Sequence, residues 1–71
     1  MPPDWINVTS STISRIRWDM ATQTLEIEFN SGQVYQYFDV PQSVFEGLRD
    51  AASQGTYLNQ NIKGRFRYTR L

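Results

Sequence analysis

The sequence predicts an α+β fold in which a three-stranded antiparallel meander packs against two short helices. A C-terminal segment is expected to add either a fourth strand or an extended tail. Apolar and polar residues alternate between residues 13 and 37, whereas apolar residues recur at helical spacing between residues 41 and 62. The 71 residues allow one domain, residues 1–71, whose residues 1–7 we expect to form a loose start. Because the chain has no cysteine, aromatic side chains must supply much of its small core.

The second and third predicted strands, "TLEIEF" and "QVYQYF", are separated by "NSG" at residues 30–32. This spacing predicts a three-residue hairpin loop with Gly32 in the left-handed conformation. Closing the hairpin with Phe29 opposite Gln33 gathers the apolar residues on one face, pairing Leu25 with Tyr37 and Ile27 with Tyr35. We interpret the two tyrosines as core residues; the alternative is a stacking platform for RNA bases.

The first predicted strand lies in "TISRIRWD" and joins the second through a four-residue loop, "MATQ". Only one register suits both faces, and its pairs are Ile16 with Ile27, Trp18 with Leu25, Arg15 with Glu28, and Arg17 with Glu26. Alternation places Ile13 on the arginine face. We interpret the charged residues as cross-strand ion pairs, because an open face lined by arginines would not raise a carboxyl pKa as acid–base catalysis requires.

Two helices are predicted after the strands. Pro41 suits the first turn of the first helix, which should end near Ala52. The second helix, "TYLNQNIKG", should end at Gly64 and be capped by Ser53. The following "RFRYTRL" alternates again, which favours a strand that packs its aromatic rings inward and leaves its arginines in water.

Charge is unevenly distributed, although seven basic residues balance seven acidic ones. Residues 1–50 hold every acidic residue and three arginines, whereas residues 51–71 hold four basic residues and no acid. Basic side chains attract phosphates, and aromatic rings stack on unpaired bases. The candidate residues for binding nucleic acid or phosphate are therefore Arg15, Arg17, Lys63, Arg65, Arg67, Tyr68 and Arg70.

Several classes of function are disfavoured. The chain has neither histidine nor cysteine, so we expect no metal, no cofactor and no catalytic residues. It has no apolar run near the ~20 residues that cross a bilayer and no signal-peptide pattern. We therefore expect a cytoplasmic, non-enzymatic protein that does not associate with membranes.

Most of the chain, about residues 8–71, resembles the KTSC domain, which is named for a C-terminal segment of some lysyl-tRNA synthetases. The features that carry this resemblance are Ser11, the run "FNSGQVYQYFDVP" from Phe29 to Pro41, Ser53, Gly55, Tyr57, Asn59, Ile62 and Tyr68. Trp18 stands where the family more often has tyrosine. The resemblance implies the fold and, through its link to a tRNA-handling enzyme, suggests contact with RNA.

The polar residues of that pattern form a second candidate site. Ser11, Ser53, Gly55 and Asn59 could line a pocket for a small anionic ligand, since free N–H groups at the start of the second helix suit a phosphate. The alternative is that Ser53 serves only as a helix cap and Gly55 only as a turn residue.

The sequence thus favours a small binding domain whose partner is RNA or a nucleotide phosphate. A protein-interaction module or homodimer without a role in nucleic-acid binding is the alternative, and a small hydrolase is ranked last.

Overall fold

The computed structural model describes residues 4–71 and has an α+β architecture. The elements are β1 (Ile6–Asn7), β2 (Ile13–Asp19), β3 (Thr24–Phe29), β4 (Val34–Tyr37), α1 (Gln42–Asp50), α2 (Gln54–Asn61) and β5 (Tyr68–Arg70). The five strands form one antiparallel sheet in the order β1-β2-β3-β4-β5.

The predicted three-stranded meander is therefore only the centre of the sheet. β1 pairs with β2 at Ile6 opposite Ile16, and β5 pairs with β4 at Tyr68 opposite Tyr37. The pairing of β5 settles the choice between strand and tail. β1 went unpredicted within the expected loose start because two residues are too few to show alternation.

The predicted registers of both central hairpins are confirmed. Leu25 lies opposite Trp18 on one side and opposite Tyr37 on the other, and Ile27 lies between Ile16 and Tyr35. The N–H of Phe29 donates to the Gln33 carbonyl at 2.8 Å, which closes the second hairpin as predicted. Gly32 has the expected positive φ of 93°.

The predicted position of Ile13 is wrong. The register of β2 shifts between Ile13 and Arg15, so that Ser14 is an extra residue in the strand. Such a β-bulge breaks the two-residue alternation. Ile13 consequently joins Ile16 in the core, where both are fully buried.

Both helices end earlier than predicted, and Pro41 is the N-cap that precedes α1 rather than a residue of its first turn. α1 ends at Asp50 rather than near Ala52, and α2 begins at Gln54, directly after the predicted cap. The Ser53 Oγ accepts a hydrogen bond from the Thr56 N–H at 3.3 Å, which confirms the cap. Gly64, with φ of 77°, lies in the turn that follows α2.

The two helices cover one side of the sheet, which we call the helix face. Its fully or nearly fully buried core residues are Ile13, Ile16, Leu25, Ile27, Tyr37, Val40, Phe45, Leu48, Leu58 and Ile62. Trp18 closes one end by stacking on Phe45, with ring centroids 5.5 Å apart, and its Nε1 donates to the Val40 carbonyl at 2.8 Å. The opposite side, which we call the outer face, carries the arginine–glutamate pairs.

Candidate functional site

Arg15 and Arg17 are held in ion pairs on the outer face. The Arg15 Nε lies 2.5 Å from Glu28 Oε1, and Arg17 bonds to Glu26, which is largely buried and also accepts from Gln36 Nε2 at 2.8 Å. The Trp5 ring lies over both guanidinium groups, at 4.5 Å and 4.2 Å from its centroid. The interpretation of these residues as cross-strand ion pairs is confirmed.

The basic residues of the C-terminal segment are less constrained. Four of the seven basic side chains lie within salt-bridge distance of a carboxylate: Arg15, Arg17, Arg49 and Arg67. Lys63, Arg65 and Arg70 have no such partner among residues 4–71. The Arg67–Asp39 pair is 3.1 Å long and both side chains are about three-quarters exposed, so water competes strongly with it.

Tyr68 belongs to a stack of three tyrosines on the helix face. Its ring lies 5.6 Å from that of Tyr35 at an angle of 12°, and 5.7 Å from that of Tyr37. Tyr37 is 1% exposed and Tyr68 60% exposed, so the stack runs from the core to the surface. Burial, with smaller contributions from Tyr35 and Tyr68, raises the pKa of Tyr37 above its ordinary value.

The packing of "RFRYTRL" agrees only in part with the predicted alternation. Phe66 is half-buried against the core, as expected, but Tyr68 is the most exposed ring of the stack. Arg70 lies opposite Tyr35 in the register and therefore shares the helix face with Tyr68. An exposed ring and a guanidinium that has no carboxylate partner among residues 4–71 thus stand side by side on one edge of the sheet.

A cleft surrounds the turn between α2 and β5, and we call it the arginine cleft. It has a volume of about 540 Å³ and is lined by Phe38, Gly64, Arg65, Phe66, Arg67 and Tyr68. The Arg67 guanidinium lies over the Phe38 ring at 5.3 Å, and the Arg65 Nε donates to the Gln60 carbonyl at 3.0 Å. Aromatic surface and positive charge therefore alternate around one concavity.

A second concavity, which we call the hydroxyl pocket, lies between the start of β2 and the β3–β4 hairpin. Its volume is about 450 Å³. Phe29 and Tyr35 form its aromatic wall, and its polar lining comes from Ser11, Thr12, Asn30, Ser31, Gln33 and Lys63.

The structure separates the predicted polar set. Ser11 lines the hydroxyl pocket, but Ser53, Gly55 and Asn59 do not. Ser53 caps α2, and Asn59 is exposed on that helix. A Cβ added at Gly55 would lie 3.1 Å from the Thr12 Oγ1, so this glycine allows α2 to approach the start of β2 closely. No phosphate site at the start of α2 is needed to explain these residues.

The sequence pattern did not reveal the remaining lining residues. The sequence pattern predicts only a turn for Asn30 and Ser31 and only its closing pair for Gln33. It predicts the end of a strand for Phe38. The signal that could have drawn attention to them is the polar "NSGQ" stretch beside Tyr35, once its closeness to Ser11 is known.

Residues 4–71 contain no cluster of three or more metal-ligating side chains. Nor does any helix within this range have the length and apolar character needed to span a bilayer.

Comparison with known proteins confirms the resemblance that the sequence suggested. A family model described as the KTSC domain matches residues 9–66. The lysine–tRNA ligase of Nostoc punctiforme is 49% identical over 61 residues, which are 86% of this chain and 11% of the ligase. The chain therefore spans only a small part of the length of the ligases it matches.

Two further relatives are matched over most of their length. A protein of Tsukamurella paurometabola is 42% identical over 60 residues, covering 84% of this chain and 90% of that protein. The crystal structure of a KTSC domain protein from Yersinia pestis has a TM-score of 0.92 at 32% identity, and the match covers 96% of each chain. Sequence and fold thus agree over most of the molecule, and the chain belongs to the KTSC domain family.

Proposed function

We propose that this domain is a non-enzymatic module that binds single-stranded RNA in the arginine cleft. Tyr68 stacks on a base, and Arg65, Arg67 and Arg70 contact the backbone phosphates. The single observation that carries the proposal is the placement of the exposed Tyr68 ring beside basic side chains that lack a strong carboxylate partner within the described chain.

The Tyr68 ring is suited to this role because it is both accessible and supported. Tyr35 stacks beneath it at an interplanar angle of 12°, which holds the ring in place before a ligand arrives. A ring fixed in advance loses little side-chain entropy on binding. Base–aromatic stacking contributes about 1–3 kcal/mol per base and tolerates any sequence.

The charge distribution supports the same site and narrows the list of residues that act there. Lys63, Arg65 and Arg70 pair with no carboxylate of the described chain, and the exposed Arg67 pair costs little to break. Arg15 and Arg17 stand apart, because β3 and β4 lie between them and β5. Their guanidinium groups are occupied by Glu28 and Glu26, so they are not part of the proposed surface.

The relatives give independent support. The matched segment occurs within lysine–tRNA ligases, and the name of these enzymes states that tRNA is a substrate. A small domain attached to such an enzyme, with a basic and aromatic surface, is well placed to hold a tRNA strand.

Fluorescence anisotropy with a short labelled single-stranded RNA at low salt tests the proposal. Tyr68→Ala should weaken binding by roughly five- to 150-fold, which corresponds to one lost stacking contact. Arg49→Gln, which removes an exposed arginine of α1, controls for a general loss of positive charge, and Arg15→Gln tests the outer face. Both should leave the affinity close to that of the unmodified protein. Absence of binding, or equal losses in all three variants, would refute the proposed site.

A second candidate function is association with another protein through the edge of β5. Because the Leu71 N–H donates to the Val34 carbonyl and the Arg67 carbonyl accepts from the Phe38 N–H, odd-numbered residues face β4. The backbone groups of Tyr68 and Arg70 therefore point away from the sheet, where an added strand could pair. Sedimentation that varies with concentration, without RNA binding, would favour this function instead.

A further inference from the structure

We infer that the hydroxyl pocket is a separate binding site for a nucleoside monophosphate group. Such a group joins a planar base to a phosphate. The inference does not depend on RNA binding in the arginine cleft, because the two concavities share no lining residue.

The pocket is an open concavity whose lining comes from several segments of the chain. Its volume of about 450 Å³ lies within the roughly 300–1,000 Å³ typical of small-molecule pockets. Its walls come from the segment before β2, from the β3–β4 hairpin, from β4 and from the turn after α2. Folding is therefore required to assemble it.

Neighbouring polar groups hold the walls in place. The Ser10 Oγ accepts from the backbone N–H groups of Thr12 and Ile13, at 3.1 Å and 3.2 Å. The Ser14 hydroxyl donates to Asn30 Oδ1 at 2.6 Å, and the Asn30 amide donates to the Ser10 carbonyl at 3.2 Å. These bonds tie the β3–β4 hairpin to the segment that precedes β2.

The lining itself keeps unused hydrogen-bonding capacity. The side chains of Ser11, Ser31, Gln33 and Lys63 make no hydrogen bond to any other residue of the 4–71 range. The Thr12 hydroxyl likewise has no partner within this range, so three hydroxyls, an amide and an ammonium line the pocket, and all of them are exposed to solvent. A ligand that enters the pocket therefore replaces water at these groups.

Charge and shape together indicate the class of ligand. Among the lining residues that the structure describes, Lys63 is the charged one and none is a carboxylate, so an anion is favoured. The rings of Phe29 and Tyr35 meet edge to face, with centroids 5.4 Å apart, and the tyrosine stack supports Tyr35 from behind. This fixed aromatic wall suits a planar ring, and the hydroxyl and ammonium groups suit the phosphate that accompanies it.

Titration of the isotope-labelled full chain, followed by amide NMR shifts, tests this inference. Adenosine monophosphate is the probe, and adenosine and inorganic phosphate are tested separately. We expect saturable shifts at Ser11, Ser31 and Gln33 with the nucleotide, and at least about tenfold weaker binding of either half, because each half forfeits contacts made by the other. Absent shifts, or shifts confined to the arginine cleft, would overturn the inference.

Variants separate this pocket from the proposed RNA site. Lys63→Gln should weaken nucleotide binding about tenfold, whereas Arg49→Gln should not. Equal effects of Lys63→Gln and Arg49→Gln would mean that general charge, rather than the pocket, attracts the nucleotide. Failure of Tyr68→Ala to affect RNA binding would refute the RNA proposal and leave the pocket standing.

A short RNA with and without a 5′-terminal phosphate identifies the source of the group. Shifts at Ser31 and Gln33 that require the terminal phosphate would show that the pocket accepts an RNA end. Shifts with the free nucleotide alone would show that it accepts a small molecule. Either result supports a nucleoside monophosphate site.

Discussion

Gly47 shows at the scale of one residue how closely α1 and α2 pack. A Cβ at this position would overlap the Tyr57 hydroxyl and lie 2.6 Å from Cζ of the same ring. The Tyr57 ring therefore lies directly on the α1 backbone. Glycine is ordinarily unfavourable inside a helix by about 1 kcal/mol relative to alanine, so here packing outweighs helix propensity.

Gly47→Ala should consequently destabilise the domain by about 1–3 kcal/mol, since the ring must move out of a packed site. Urea unfolding measures the change. The second arm of the test is Gly47→Ala combined with Tyr57→Ala, compared with Tyr57→Ala alone. With the ring removed, the same alanine should become neutral or stabilising by up to about 1 kcal/mol. A penalty that persists without the ring would contradict the packing explanation.

Individual side chains were predictable where two faces constrained them at once. The register of Arg17 with Glu26 followed from the sequence because any one-residue shift would have placed arginines against Leu25 and Ile27. Ile13 could not be placed correctly, since a bulge depends on tertiary packing and leaves no local pattern. Trp5, which covers the paired arginines, had no periodic neighbours to show its position.

At the scale of elements, the two helices begin in different ways. α1 follows Pro41, which offers no side-chain hydrogen bond, whereas α2 is capped by the Ser53 hydroxyl. α2 is short and its surface is largely polar, so the cap should contribute a large share of its local stability.

Ser53→Ala should destabilise the domain by about 1 kcal/mol, because the Thr56 N–H loses its acceptor. The matched control is Ser43→Ala in the first turn of α1, where the serine is exposed and makes no side-chain hydrogen bond to a described residue. The control should change the free energy of unfolding by less than about 0.5 kcal/mol. Equal effects in thermal or urea unfolding would argue against a capping role.

The sequence was sufficient to predict the longer strands, but it was not sufficient to establish the two shortest ones. β2, β3 and β4 show alternation or turn residues that determine their pairing in advance. β1 has two residues and β5 has three, which is too few for a period to establish the strand. Their position at the sheet edges depends on which neighbour offers free hydrogen-bonding groups, and this is a property of the folded sheet.

The molecule as a whole has no net charge, but its positive charges are unevenly distributed. The formal net charge is zero, yet the basic residues without a carboxylate partner in the described chain all lie after α2. A polyanion should therefore be attracted to one end of the domain despite its neutrality.

The proposed RNA affinity should consequently fall as the salt concentration rises, with a slope set by the number of phosphate contacts. Three phosphate contacts, from Arg65, Arg67 and Arg70, imply a slope of about −2 in log K against log salt for a single strand. Arg65→Gln should make this slope shallower by about 0.7, and Arg49→Gln should leave it unchanged. A slope near zero, measured by anisotropy over a range of KCl concentrations, would contradict phosphate contact.

The candidate sites were less predictable than the fold, because they are assembled from distant segments. Ser11 and Lys63 are far apart in sequence and meet at one pocket only after the hairpin and α2 have packed. Composition could identify basic and aromatic residues, but the outer face holds two of the predicted arginines in ion pairs. Knowing which charges are neutralised requires the register, the helix positions and the final turn together.

The order of the strands has a consequence for how the domain opens. Each strand from β1 to β4 pairs with its immediate neighbour in the chain, whereas β5 reaches β4 only after both helices have intervened. Closing that long loop costs more chain entropy than closing a hairpin. The pairing of β5, which has three exposed residues, offsets little of this cost. Hydrogen exchange should therefore be fastest along β5. This strand, with Tyr68 and Arg70, can detach from β4 while the meander stays folded.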